Sequence, residues 1–131
     1  MNAVVSAGVG ITRIAQIAVN IKDLERATSF YQDQLGLKLL FKAHPAMAFF
    51  ECGGVRLMLS RPEKPEFDHP GSILYLSVPD IQAAYGQMKK SGVSFEDEPH
   101  LIAKMPIHDL WMTFFRDSEG NLLALLSEVS N

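Results

Sequence analysis

Residues 114–126 read Phe-Phe-Arg-Asp-Ser-Glu-Gly-Asn-Leu-Leu-Ala-Leu-Leu. An aromatic segment and an apolar segment flank a run of turn residues. Asp117, Gly120 and Asn121 are types that tolerate left-handed backbone or bond their own main chain. The stretch therefore predicts a hairpin, with residues 111–116 paired to residues 121–127. A hairpin alone is only a good turn, and its meaning comes from what precedes it.

Working outward, residues 73–78 alternate apolar and polar as a half-buried strand does. Asp80 stands where a helix N-cap belongs, Ile81, Ala84, Tyr85 and Met88 follow at helical spacing, and Gly92 closes the helix. Residues 93–95 predict a short strand. The same order occurs earlier in the chain. Residues 14–21 alternate, Asp23 caps, Leu24, Ala27, Phe30 or Tyr31 and Leu35 form the apolar stripe, and Gly36 stops it. Residues 37–41, 46–52 and 55–60 read as three further strands, the last two joined at Gly53-Gly54. Residues 18–24 superpose on residues 75–81, Leu35-Gly36-Leu37 on Ser91-Gly92-Val93, and residues 49–60 run parallel to residues 115–126 with Gly54 and Gly120 in register.

The fold class is α+β, built from two tandem βαβββ modules, each too small to close alone. Residues 1–10 are expected as a weakly patterned lead-in and 11–128 as a single domain. Within it, module one spans 11–60, module two spans 72–128, and a proline-rich linker over 61–71 crosses the surface between them. Residues 96–110 are expected as a long loop, and a long loop is a candidate for function. His44-Pro45 and His69-Pro70 sit in turn contexts and read as structural.

The composition narrows the function classes. A chain of 131 residues, 47% apolar and 21% charged, is an ordinary globular domain. Its net charge of −3 and lack of a basic run argue against nucleic acid and against an anionic membrane surface. A single cysteine, Cys52, excludes an internal disulfide and points to the cytoplasm. Cys52 beside Gly53 and Gly54 reads as a small strand-end residue before it reads as a nucleophile. No run approaches membrane-spanning length, and the first residues do not read as a signal peptide.

The repeated strand-Asp-helix-Gly pattern, with "AVNIKDLERATSFYQDQLGLKLL" in the first half and the R-D-x-x-G-N turn in the second, resembles the vicinal oxygen chelate superfamily of glyoxalases, bleomycin resistance proteins and extradiol dioxygenases. The resemblance covers residues 11–128. It implies mixed sheets curled around a cleft, a homodimer, and in many members a divalent metal on the cleft floor. Metal-binding members take four ligands from strand positions related by the repeat, which here are Gln16, Met58, Ile73 and Ala124. Only Gln16 suits a divalent ion, because Ile73 and Ala124 carry no donor and a thioether is a poor ligand for hard metals. This chain thus resembles the members that lack the usual ligands, and no cofactor is expected.

On strand alternation the cleft face carries Gln16, Ala18, Asn20, Arg56, Met58, Ser60, Ile73, Tyr75, Ser77, Leu122, Ala124 and Leu126, an apolar surface with a few orienting polar groups. Gln16, Arg56 and Tyr75 are the candidate orienting groups, against plain readings of Gln16 and Tyr75 as residues facing a filled core and of Arg56 as out in solvent. From residues 96–110, His100, His108 and Trp111 are candidates to close over the ligand, against plain readings of exposed histidines and a core tryptophan. Glu51 is a candidate carboxylate from a neighbouring strand. The function expected is metal-free binding of a small molecule in an apolar cleft. The alternative is a lyase or isomerase of the glyoxalase type, acting without the usual metal site or with a displaced one drawn from His100, His108 and Asp109.

Overall fold

The computed structural model describes residues 8–43, 46–62 and 64–130, so His44-Pro45 and most of the lead-in lie outside the described residues. The elements in order are β1 (Gln16–Asn20), α1 (Leu24–Ser29) continued by a single wide turn (Phe30–Gln34), β2 (Lys38–Ala43), β3 (Met47–Cys52), β4 (Val55–Ser60), β5 (Leu74–Ser77), α2 (Ile81–Lys90), β6 (Ser94–Phe95), β7 (His100–Lys104), β8 (His108–Arg116) and β9 (Leu122–Ser130). The fold is α+β with two mixed sheets. One has the order β1-β4-β3-β2; the other has the order β5-β9-β8-β6, with β7 also on β8. In each, the first strand lies parallel to the last and the remaining pairs are antiparallel.

The register demonstrates the repeat. Ala18 pairs with Met58, and their counterparts Tyr75 and Ala124 pair in the same way. The helices start alike: the Asp23 carboxylate accepts from Arg26 N at 3.0 Å and the Asp80 carboxylate from Ala83 N at 3.1 Å. Each thereby satisfies one of the amides that a helix leaves free at its start. Gly36 and Gly92, with φ of 75° and 97°, end the helical segments in the left-handed region that glycine adopts without strain.

Two expectations are corrected. Residues 96–110 are not a loop. β7 occupies 100–104 and β8 begins at His108, so β6 and β7 together form the edge strand that β2 forms in module one. The alternation there is broken by a register shift between Leu101 and Ala103, and a strand held by one neighbour needs no clean apolar face. The second correction is one residue in the repeat. Phe49 pairs with Met58 and Phe114 with Ala124, so the counterpart of Phe49 is Phe114 and not Phe115. The turn between β8 and β9 is longer than the Gly53-Gly54 turn, which displaces β8 relative to β3.

The inner faces of the two sheets and both helices share one core. Ile21, Leu57, Leu59 and Phe50 meet Ala27, Phe30 and Tyr31 in module one; Leu123, Leu125 and Phe115 meet Ile81 and Met88 in module two. The turn of the opening stretch locks the modules together. Asp117, only 6% exposed, accepts from the Tyr31 hydroxyl at 2.7 Å, the Asn121 side chain at 2.9 Å, and the amides of Glu119 and Asn121 at 2.8 Å each. The Asn121 side chain also donates to the Asn20 carbonyl at 3.0 Å. Glu119 accepts from Lys22 N and Asp23 N at 2.9 Å each, and from Arg26 Nε at 2.7 Å. A turn in module two thus caps the helix of module one, and the R-D-x-x-G-N signature is explained as an inter-module clasp. Burial and the Asp117 carboxylate push the Tyr31 phenol well above its ordinary range, so it stays a donor.

Candidate functional site

The outer face of the first sheet carries the side chains that alternate away from the core: Gln16, Ala18 and Asn20 on β1, Arg56, Met58 and Ser60 on β4, Met47, Phe49 and Glu51 on β3. Part of it floors an open cleft of about 1130 Å³, the size of a small-molecule site. Ala18, Asn20, Met47, Met58 and Ser60 supply the floor. Residues 67–74 of the linker and the start of β5 form one wall. Arg116, Glu119, Asn121 and Leu122, at the clasp, form the other.

Of the expected site residues, Asn20, Met58 and Ile73 line this cleft. The Asn20 amide donates to the Phe67 carbonyl at 2.7 Å and the His69 carbonyl at 3.4 Å, so it ties the linker wall to the floor. The linker is therefore part of the cleft wall, and His69, at a bend, and Pro70 line the cleft. Its signal in the sequence was Phe67, an aromatic residue in an otherwise polar segment.

Gln16 and Arg56 sit on the same face one pleat further along β1 and β4, where Gln16 is the Cα partner of Arg56. Arg56 Nε donates to Gln16 Oε1 at 2.7 Å, and Gln16 Nε2 reaches the Met58 sulfur at 3.7 Å. The Arg56 guanidinium lies 5.4 Å from the centre of the Phe49 ring, which stacks on Phe41 at 4.5 Å. Glu51, opposite Arg56, accepts from Gly54 N at 2.6 Å and caps the hairpin turn.

The remaining candidates stand elsewhere. Tyr75 packs edge-on against Phe114 at 6.0 Å and lines a smaller cavity of about 300 Å³ between β5, α2 and residues 34–37. Ala124 is fully buried in β9. His100, on β7, has Nδ1 2.9 Å from the Glu98 carbonyl and 3.7 Å from an Asp97 carboxylate oxygen; His108 has Nε2 3.2 Å from Glu128. Neither histidine lines the cleft. Trp111 packs against the shared core, because its parity on β8 matches Thr113 and Phe115 and not Phe114. Burial, with the Glu51 charge second, pushes the Cys52 thiol up, which weakens it as a nucleophile.

The four positions that hold the metal in metal-binding members are Gln16, Met58, Ile73 and Ala124 here. Gln16 Oε1, their one hard donor, is taken by a guanidinium at 2.7 Å, which places a fixed positive charge beside any cation there. Met58, Ile73 and Ala124 supply no hard donor, and among the described residues no group of three or more His, Cys, Asp or Glu could hold a metal ion. The residues do not fit a divalent metal.

A sequence profile of the Glyoxalase/Bleomycin resistance protein/Dioxygenase superfamily matches residues 13–125. The chain belongs to that superfamily. The uncharacterised protein YraH of Bacillus subtilis (strain 168) is 25% identical over 126 residues, covering 86% of this chain and 96% of that protein. A superfamily member from Sphaerobacter thermophilus DSM 20745 superposes with a TM-score of 0.77 at 24% identity, over 90% of this chain and 98% of the other. TnmS3, an antibiotic binding protein from Streptomyces sp. CB03234, superposes at 0.73 with 23% identity, over 92% and 99%. At these identities the solved structures establish the shared fold. Among the described residues no helix is long and apolar enough to cross a membrane.

Proposed function

We propose that this superfamily member binds a small organic molecule in the cleft on its first sheet, without a resident metal. The observation that carries the reading is the cleft itself: about 1130 Å³, floored by Ala18, Met47 and Met58 and walled by the linker and the inter-module clasp. A concave, largely apolar surface with a few fixed polar groups is the usual form of a small-molecule site. The donor set at the family metal position supports binding without a metal, and the same fold serves as an antibiotic binding protein in TnmS3. A homodimer belongs to the proposal. Phe41 and Tyr75, each 48% exposed on the outer faces of the two sheets, are apolar surface that a second copy would cover. The net charge of −3 favours neither nucleic acid nor membrane as partner, and a cytoplasmic setting agrees with the lone thiol of Cys52.

The test is a panel of uncharged aromatic and heteroaromatic compounds screened by thermal shift, with binders mapped by amide NMR shifts. Saturable shifts at Ala18, Met58 and Leu122 are expected; a panel whose every binder maps elsewhere overturns the site. Sedimentation velocity at micromolar concentration is expected to show a dimer, and a monomer removes that part.

A further inference from the structure

Resting on the cleft reading above, we infer that the Gln16–Arg56 pair is an anion-binding subsite and that the molecule bound carries a carboxylate or similar oxyanion. Arg56 is only partly engaged by the protein. Its Nε is spent on Gln16 Oε1 at 2.7 Å, while its two terminal amino groups have no acceptor among the described residues. Glu51, its Cα partner across the sheet and the carboxylate that might have neutralised it, has turned to Gly54 N and forms no ion pair with it. An arginine on a sheet surface ordinarily finds a carboxylate or extends into solvent. This one, exposed on β4, holds its guanidinium carbon 5.4 Å from the centre of the Phe49 ring, with Phe49 stacked on Phe41. The Gln16 bond restrains the guanidinium at Nε, and a guanidinium with both terminal amino groups free presents the fork that recognises a carboxylate through two parallel hydrogen bonds.

Gln16 strengthens the case. With its oxygen used by Arg56, its amide nitrogen faces only the Met58 sulfur at 3.7 Å, a weak acceptor. Arg56's terminal amino groups and the Gln16 amide nitrogen make the pair chiefly a set of N–H donors around a fixed positive charge, a composition suited to an anion. It also lies at the edge of the cleft. Ala18 and Met58 line the cleft, and Gln16 and Arg56 are the preceding pair on the same two strands, about 7 Å away. An acid of modest size can place its oxyanion on Arg56 and Gln16 and its apolar body over Met58 and Ala18.

The experiment uses the full chain, labelled with ¹⁵N, titrated with sodium benzoate and separately with benzamide, which keeps the ring and removes the charge. Benzoate is expected to shift the amides of Gln16, Phe49 and Arg56 saturably and to bind about tenfold or more tightly than benzamide. In Arg56→Met, with the fold confirmed by its spectrum, the preference is expected to vanish; in Arg56→Lys, which keeps a charge but loses the fork, part of it is retained. Equal affinity for the two probes, or a preference that survives in Arg56→Met, overturns the subsite. If benzamide shifts Ala18 and Met58 and benzoate binds no better, the cleft stands and the anion subsite falls. If neither probe shifts this face saturably, both fall.

Discussion

Replacing Glu119 by alanine removes the clasp that joins the turn of module two to the helix of module one. The magnitude follows from the ionisation of that carboxylate. Its side chain is 1% exposed and bonded to Arg26, with two backbone amides added, and these contacts hold its pKa down at about 2, against an ordinary 4.5. At about 1.4 kcal/mol per unit, the difference sets a ceiling of about 3 kcal/mol. Arg26 is 54% exposed, so water screens part of the pairing and can replace part of the capping. A loss of about 2 kcal/mol is expected at pH 7. Because the folded pKa lies below the unfolded one, the contribution is full above pH 4.5 and disappears as the pH falls towards 2. By pH 3 about two fifths of it remains. The assay is urea unfolding followed by the fluorescence of Trp111, the one tryptophan and a core neighbour, in the wild type and Glu119→Ala at pH 7, 5 and 3. A gap below about 0.5 kcal/mol at pH 7, or one that stays constant down to pH 3, refutes the clasp as an electrostatic lock.

Other outcomes follow from the same turn. Asp117→Asn loses acceptors for a site that holds four donors, Tyr31 among them, and is expected to cost about 3 kcal/mol in thermal or urea unfolding. Tyr31→Phe removes one of those four bonds and leaves the three N–H donors, so a smaller loss of about 1 kcal/mol is expected by the same measurement. Gly120→Ala meets open space but forces a side chain into φ of 87°, and should cost about 1 kcal/mol with little change in the native spectrum.

Much of the fold was legible because the repeat is written in local chemistry. Asp23 and Asp80 cap, Gly36 and Gly92 end helical segments, and the strand alternation places Ile17, Val19 and Ile21 inward with Gln16, Ala18 and Asn20 outward. What was not legible depends on neighbours. The edge strand β7 takes its hydrogen bonds from β8 and breaks its own alternation with a bulge, so residues 96–110 look like a loop. Trp111 sits one residue out of phase with the cleft face, and no composition argument could assign its side. Of the residues expected on the cleft face, Ala18, Asn20, Met58, Ser60, Ile73 and Leu122 line the open cleft. The role of the linker was hidden because a wall built from residues 67–71 depends on the bond from Asn20 to the Phe67 carbonyl. The coupling of Gln16 to Arg56 was hidden because it depends on the parallel register of two strands forty residues apart in the chain.

Through that coupling this superfamily member keeps the cleft while a guanidinium occupies the Gln16 oxygen, the one hard ligand a metal would find there. The most direct test is elemental analysis of tag-free protein after dialysis against zinc, nickel, manganese or ferrous iron and removal of unbound ion. Far less than one equivalent of every metal is expected. One equivalent of any of them, lost in Gln16→Ala, would contradict the account.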